Sequence, residues 1–160
     1  MSFLQAIYDT DFARMMRESL WGYPIALTIH SLGMGVLVGV LVVVDVRILG
    51  WFRERMPFWT IKPIITLAVI GFVVNLISGT LLFIADAVNY VHNPAFIVKI
   101  VGVFAGMIVL WLMVRTPDLR NIRSLDVAAV GGLNLKVLAW TSLAIWTTAM
   151  IGGRLIGYLM

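Results

Sequence analysis

Four stretches of the chain, at about residues 22–49, 63–87, 95–114 and 137–159, are apolar almost without interruption, and polar, basic or aromatic segments separate them. A bilayer hydrocarbon core of about 30 Å takes about 20 residues of helix at about 1.5 Å each, so every one of these runs is long enough to span. Ahead of the first run, Phe12, Met15, Met16 and Ser19 or Leu20 fall at helical spacing, and Asp9, Thr10 or Asp11 can cap the start. Residues 2–20 are therefore expected to form an interfacial amphipathic helix that enters the first span at Pro24, where a first turn tolerates proline. The expected fold is all-α: an integral membrane four-helix up-down bundle forming a single domain over residues 1–160.

Composition sharpens this picture. Of 160 residues, 61% are hydrophobic, above the roughly 45–50% of soluble domains. The N-terminus has no basic start, compact apolar run or small-residue cleavage site, so it is expected to stay in the mature protein. Cysteine is absent, which excludes disulfides, iron–sulfur clusters and thiol catalysis. The formal charge of +4 does not point to nucleic acid, because the basic residues flank the ends of spans. Arg47, Arg53, Arg55 and Lys62 surround the first connection, and Arg115, Arg120, Arg123 and Lys136 the third, while the middle one, DAVNYVHNP, has no lysine or arginine. The positive-inside rule then puts both termini outside, in a bacterial inner membrane.

From Ile25 to Val44 the one side chain that is neither apolar nor a small hydroxyl belongs to His30. Ionisable groups at that depth are expensive and usually have a partner or a task. Ser31, Gly35 and Gly39 form a small-xxx-small stripe suited to helix packing, and Gly33 and Ala26 lie about one turn to either side of His30. Such a recess suits either a planar group bound through the imidazole or plain packing of a histidine hydrogen-bonded within the bundle.

Other polar residues share this depth. Gly71, Asn75, Ser78 and Gly79 make one small, polar stripe on the second span; Lys99, Gly102 and Gly106 share a face of the third; Thr147, Ile151, Arg154 and Tyr158 follow helical spacing on the fourth. With alternating directions, His30, Asn75, Ser78, Lys99 and Arg154 gather in the outer half, below His92 in the middle connection. Asp45 lies in the other half, where pairing with Arg47, Lys62 or Arg115 is expected. Each of these has a plain alternative: Lys99 and Arg154 snorkelling to headgroups, Asn75 and Ser78 bonding between helices, His92 in an exposed turn.

A histidine below two cations is an arrangement that a b-type haem would use, with His30 as the metal ligand, Gly33 and Ser78 beside the ring and Lys99 and Arg154 near the propionates. His92, Met34 or Met150 is available as a second ligand, and a quinone or an anionic lipid suits the same groups. With two histidines in all, a multi-haem arrangement is excluded. No carboxylate pair or nucleophile–base pair shares a depth, so hydrolytic catalysis is unsupported.

The stretch ESLWGYPIALTIHSLGMGVLVGVLVVVDVRILG, with SGTLLF, NPAFIVKI and GRLIGYL, resembles a group of uncharacterised bacterial four-span proteins whose first span carries a histidine followed by Leu-Gly and ends in Asp-x-Arg-x-Leu-Gly. That group is similar to copper-resistance-D-like and b-type cytochrome membrane domains, which implies histidines on a four-helix bundle holding haem or copper. Two functions follow as expectations. One is a haem b protein moving electrons between a quinone and an extracytoplasmic partner. The other is a cofactor-free membrane subunit or small-solute carrier with a polar site in the outer half of the bundle; a homo-oligomer or a larger membrane complex is the expected assembly.

Overall fold

The structure is a computed structural model and describes residues 3–120 and 132–158. Arg123, most of the second basic connection and the last two residues lie outside the described residues. Four helices cross a membrane by length and composition: α3 (Gly22–Ile48), α4 (Ile61–Ala85), α6 (Pro94–Arg115) and α8 (Leu133–Leu155). Shorter helices α1 (Phe3–Tyr8) and α2 (Asp11–Glu18) precede the first span, and α5 (Ala87–His92) and α7 (Pro117–Arg120) lie in the connections. The chain is an all-α integral membrane bundle, and exposed Leu32, Ile70, Ile77, Val101, Phe104, Ile108 and Ile151 give its helices an apolar outer surface for lipid.

The span ends follow from local chemistry. The α3 terminus is a Schellman motif: Gly50 at φ 104° lets its N–H reach the Arg47 carbonyl and the Trp51 N–H reach that of Val46. α4 begins two residues before the expected Pro63, because a 3₁₀ turn at Phe58–Thr60 feeds straight into it. Asn93 opens α6 by accepting from the Ala95 and Phe96 N–H groups, with Pro94 in the first turn, and its amide donates to the Ile156 carbonyl near the end of the chain. α8 begins four residues before the expected Val137.

The interfacial segment is two helices rather than one. The Thr10 hydroxyl donates to the Ile7 carbonyl and accepts from the Ala13 N–H, so one side chain ends α1 and caps α2. Met16 packs with Ala26, Leu82 and Ala85, and Ala13 is buried. Arg17 donates through one nitrogen to the Ala85 and Tyr8 carbonyls at 2.7 and 3.0 Å, satisfying open carbonyls at helix ends.

The spans assemble as two close pairs, α3 with α4 and α6 with α8, with α3 against α8 as the main seam between them. Glycine sets both pairings. A Cβ at Gly71 would lie 2.9 Å from the Leu37 backbone nitrogen, and one at Gly33 3.2 Å from the Asn75 nitrogen, so α3 and α4 meet backbone to backbone. Gly106 lies flat under the Trp146 indole, and Gly102 against Ala149. The expected packing stripe is a different one: Gly35 and Gly39 have nothing within 4 Å of a built Cβ, and Ser31 is exposed. The helical rotation puts Gly33 and Leu37, not Gly35 and Gly39, toward α4.

Buried apolar side chains stack in layers. Val44, Ile48, Phe58, Ile61, Val109, Met113 and Leu135 fill the end nearest the long connections, here the loop end. Met34, Leu37, Val38, Leu41, Ala68, Leu110 and Trp146 fill the middle. At the opposite end, which carries α1, α2 and the end of α8, Tyr90, Ala95, Ile156, Phe83 and Phe96 close the bundle.

Candidate functional site

His30 sits near the termini end, where α3 faces the last turns of α4 and the first turns of α6. The three helices bring together His30, Ser78, the Asn75 backbone and Lys99, and the hydrogen bonds determine the imidazole tautomer. Ser78 has one hydroxyl hydrogen, given to the Val74 carbonyl at 2.7 Å. The Asn75 carbonyl can only accept. His30 Nδ1, 3.2 Å from both the Asn75 carbonyl and Ser78 Oγ, is therefore the donor, and Nε2 faces Lys99 Nζ at 2.9 Å.

Small residues make room for this pair. A Cβ at Gly79 would stand 3.0 Å from His30 Cε1, and one at Gly153 3.3 Å from Lys99 Cδ. Gly79 thus admits the ring edge, and Gly153 lets the lysine stem run along α8. The sequence signal for these two positions was weak, since a glycine in a span reads equally as a helix-packing residue. Towards the termini, Phe83 and Phe96 stack at 5.7 Å and the Tyr23 and Tyr90 hydroxyls bond at 3.0 Å, so the approach to the pair from that end passes aromatic side chains. Burial and its bond to Tyr23 push the Tyr90 phenol above its ordinary range.

Two expected members lie elsewhere. His92 is exposed and spends Nδ1 on the Val88 carbonyl at 2.7 Å, within its own short helix. Arg154 is exposed with its guanidinium 5.9 Å from the Tyr158 ring, and its neighbour Gly153 lies against the Lys99 side chain. A one-residue step on a helix is a turn of about 100°, enough to send Arg154 away from the pair.

These positions do not fit a b-type haem. Both ring nitrogens of His30 are engaged within the protein, Nε2 by the lysine expected to meet a propionate. The recess beside Gly33 is filled by α4, through Val74, Asn75 and Gly71. Neither His92 nor Arg154 turns toward the ring.

Chemically, the pair is two nitrogen bases with one hydrogen between them. A 2.9 Å bond requires one partner to donate and the other to accept, so the bonded pair carries at most a single positive charge. Among the described residues no carboxylate forms an ion pair with Lys99, and the salt bridge found is Arg14 with Asp11 on α2.

At the loop end, Asp45 is 1% exposed, and among the described residues neither of its oxygens makes a full hydrogen bond. The expected pairing with a cation is not made: Arg47 donates to the Met56 carbonyl and lies over Phe58, Lys62 reaches the Arg120 carbonyl, and Arg115 covers Trp111. The polar group beside Asp45 is the buried Ser142 hydroxyl of α8. Comparison with known proteins gave no matching family model, no matching curated protein and no matching solved structure.

Proposed function

We propose that this chain is a cofactor-free membrane protein of carrier type, whose His30–Lys99 pair takes up a small anionic group together with a proton. The observation that supports it is the 2.9 Å contact between two nitrogen bases with, among the described residues, no carboxylate paired to them. Two adjacent ammonium-like charges in an apolar bundle repel, so the bonded state holds one charge. An arriving carboxylate or phosphate oxygen accepts from the lysine and offsets a second positive charge, which lets the imidazole take its own proton. Anion binding and proton uptake are linked on this reading. By the positive-inside rule, the basic residues around the two loop-end connections support a cytoplasmic loop end in a bacterial inner membrane, and on that reading the pair serves the outer side.

The test uses purified protein in detergent, titrated with acetate by calorimetry in two buffers of different ionisation enthalpy. A difference in apparent heat between the buffers measures proton uptake. Wild-type protein takes up a proton with acetate, and Lys99→Ala and His30→Ala do not. Acetate binding with no proton uptake, or uptake unchanged in Lys99→Ala, would refute the reading.

A further inference from the structure

Asp45 lies on the same spanning helix as His30, and from position 30 to position 45 at about 1.5 Å per residue is about 22 Å toward the loop end. A buried carboxyl group with no cation beside it and only the Ser142 hydroxyl nearby is costly, and more so in a membrane. Asp45 is not alone in lacking a partner. Trp146 Nε1 and Asn75 Oδ1 are also buried without one, and with the two Asp45 oxygens they are all such side-chain atoms among the described residues.

Their order along the bundle carries the inference. Ser142 is beside Asp45, and Trp146 is one turn further along α8 toward the termini end. Asn75 meets α3 at Gly33, within a turn of His30, and its own carbonyl takes the imidazole bond. The unpartnered atoms thus run from Asp45 toward the His30–Lys99 pair instead of scattering through the core. Buried polar atoms without protein partners are where internal water sits. Met34, Leu37, Val38 and Leu41 form an apolar layer along the way, which water crosses only transiently.

We propose that Asp45 is the loop-end terminus of a proton route whose other terminus is the His30–Lys99 pair. The proposal rests on the reading of that pair as a proton-exchanging site. The singly charged pair gives its proton through internal water to the Asp45 carboxylate, forming the acid, and hydronium at the termini end then reprotonates the neutral pair, which never holds more than one charge. The acid then releases its proton to water at the loop end. Each step breaks one O–H or N–H bond and forms another, and no electrons change hands. Among the described residues, the polar group beside Asp45 is Ser142 on α8, and two residues on along its own helix Arg47 donates to the Met56 carbonyl.

The test reconstitutes the full chain in liposomes with an internal pH-sensitive dye and drives proton entry with a potassium diffusion potential. Wild-type protein acidifies the lumen faster than protein-free liposomes. Asp45→Asn slows this flux by roughly a hundredfold or more, the scale for removing a positioned proton carrier, yet keeps acetate-linked proton uptake in detergent. Lys99→Ala loses both. Wild-type flux equal to that of protein-free liposomes, or Asp45→Asn flux equal to wild type, overturns the route. Acetate-linked uptake surviving in Lys99→Ala overturns the underlying reading instead, whatever Asp45→Asn does. Should Asp45→Asn not be recovered folded, Ser142→Ala, which removes only the hydroxyl beside Asp45, decides: slower flux supports the route and unchanged flux overturns it.

Discussion

Gly79 of α4 lies against the edge of the His30 imidazole, so closely that a Cβ there would stand 3.0 Å from Cε1 and 3.3 Å from Nδ1. Gly79→Ala should push the ring by a few tenths of an ångström and weaken its Nδ1 bonds without removing them. The expected result is a loss of about 1 kcal/mol in stability and weaker acetate-linked proton uptake. An imidazole nitrogen NMR spectrum identical to wild type would show that the ring has not been disturbed.

Gly71→Val should destabilise the protein by about 1–3 kcal/mol through overpacking, because its Cβ would meet the Leu37 backbone nitrogen at 2.9 Å. Gly35→Leu should not, since that position opens away from the fold. Thermal unfolding in detergent reads both variants, and size-exclusion chromatography asks in addition whether Gly35→Leu breaks an association between copies. Equal stability losses would place Gly35 in a packed interface.

Protein prepared with ample haem should show no Soret band, because His30 offers no open nitrogen. A band present in wild type and missing in His30→Ala would reverse that conclusion and restore the cytochrome reading.

His92→Ala and Arg154→Ala should leave acetate-linked proton uptake at the wild-type level. Both side chains are exposed and occupied elsewhere, one with the Val88 carbonyl and the other beside Tyr158. Loss of uptake in Arg154→Ala would bring that guanidinium back into the site.

Tyr90 gives a pH dependence with a definite sign. In the unfolded chain its phenol ionises near its ordinary value of 10.0, whereas burial and the Tyr23 hydroxyl hold it neutral to higher pH in the fold. The unfolded state therefore loses this proton first, and stability falls as pH rises above that value. Tyr90→Phe should unfold more easily at neutral pH, by about 1 kcal/mol for the lost bond, and show a shallower alkaline decline. Denaturation midpoints across that range measure both effects, and parallel alkaline slopes would count against the assignment.

Much of this protein was legible from residue order alone. Four apolar runs of bilayer length can only be helices in lipid, because every backbone polar group must be satisfied within its own segment. Their alternating direction then brings His30, Ser78 and Lys99 to one depth, since depth depends only on position along a helix of constant rise. Azimuth is another matter: which residue of a span faces which neighbour follows from how the helices rotate and pack. In an apolar span the pattern of side chains says little about rotation, as lipid and protein interior are equally apolar. Only the tertiary structure therefore decided that Gly33 and Gly71, rather than Gly35 and Gly39, form the close contact, that Gly153 and not Arg154 faces Lys99, and that Asp45 meets Ser142 instead of a cation.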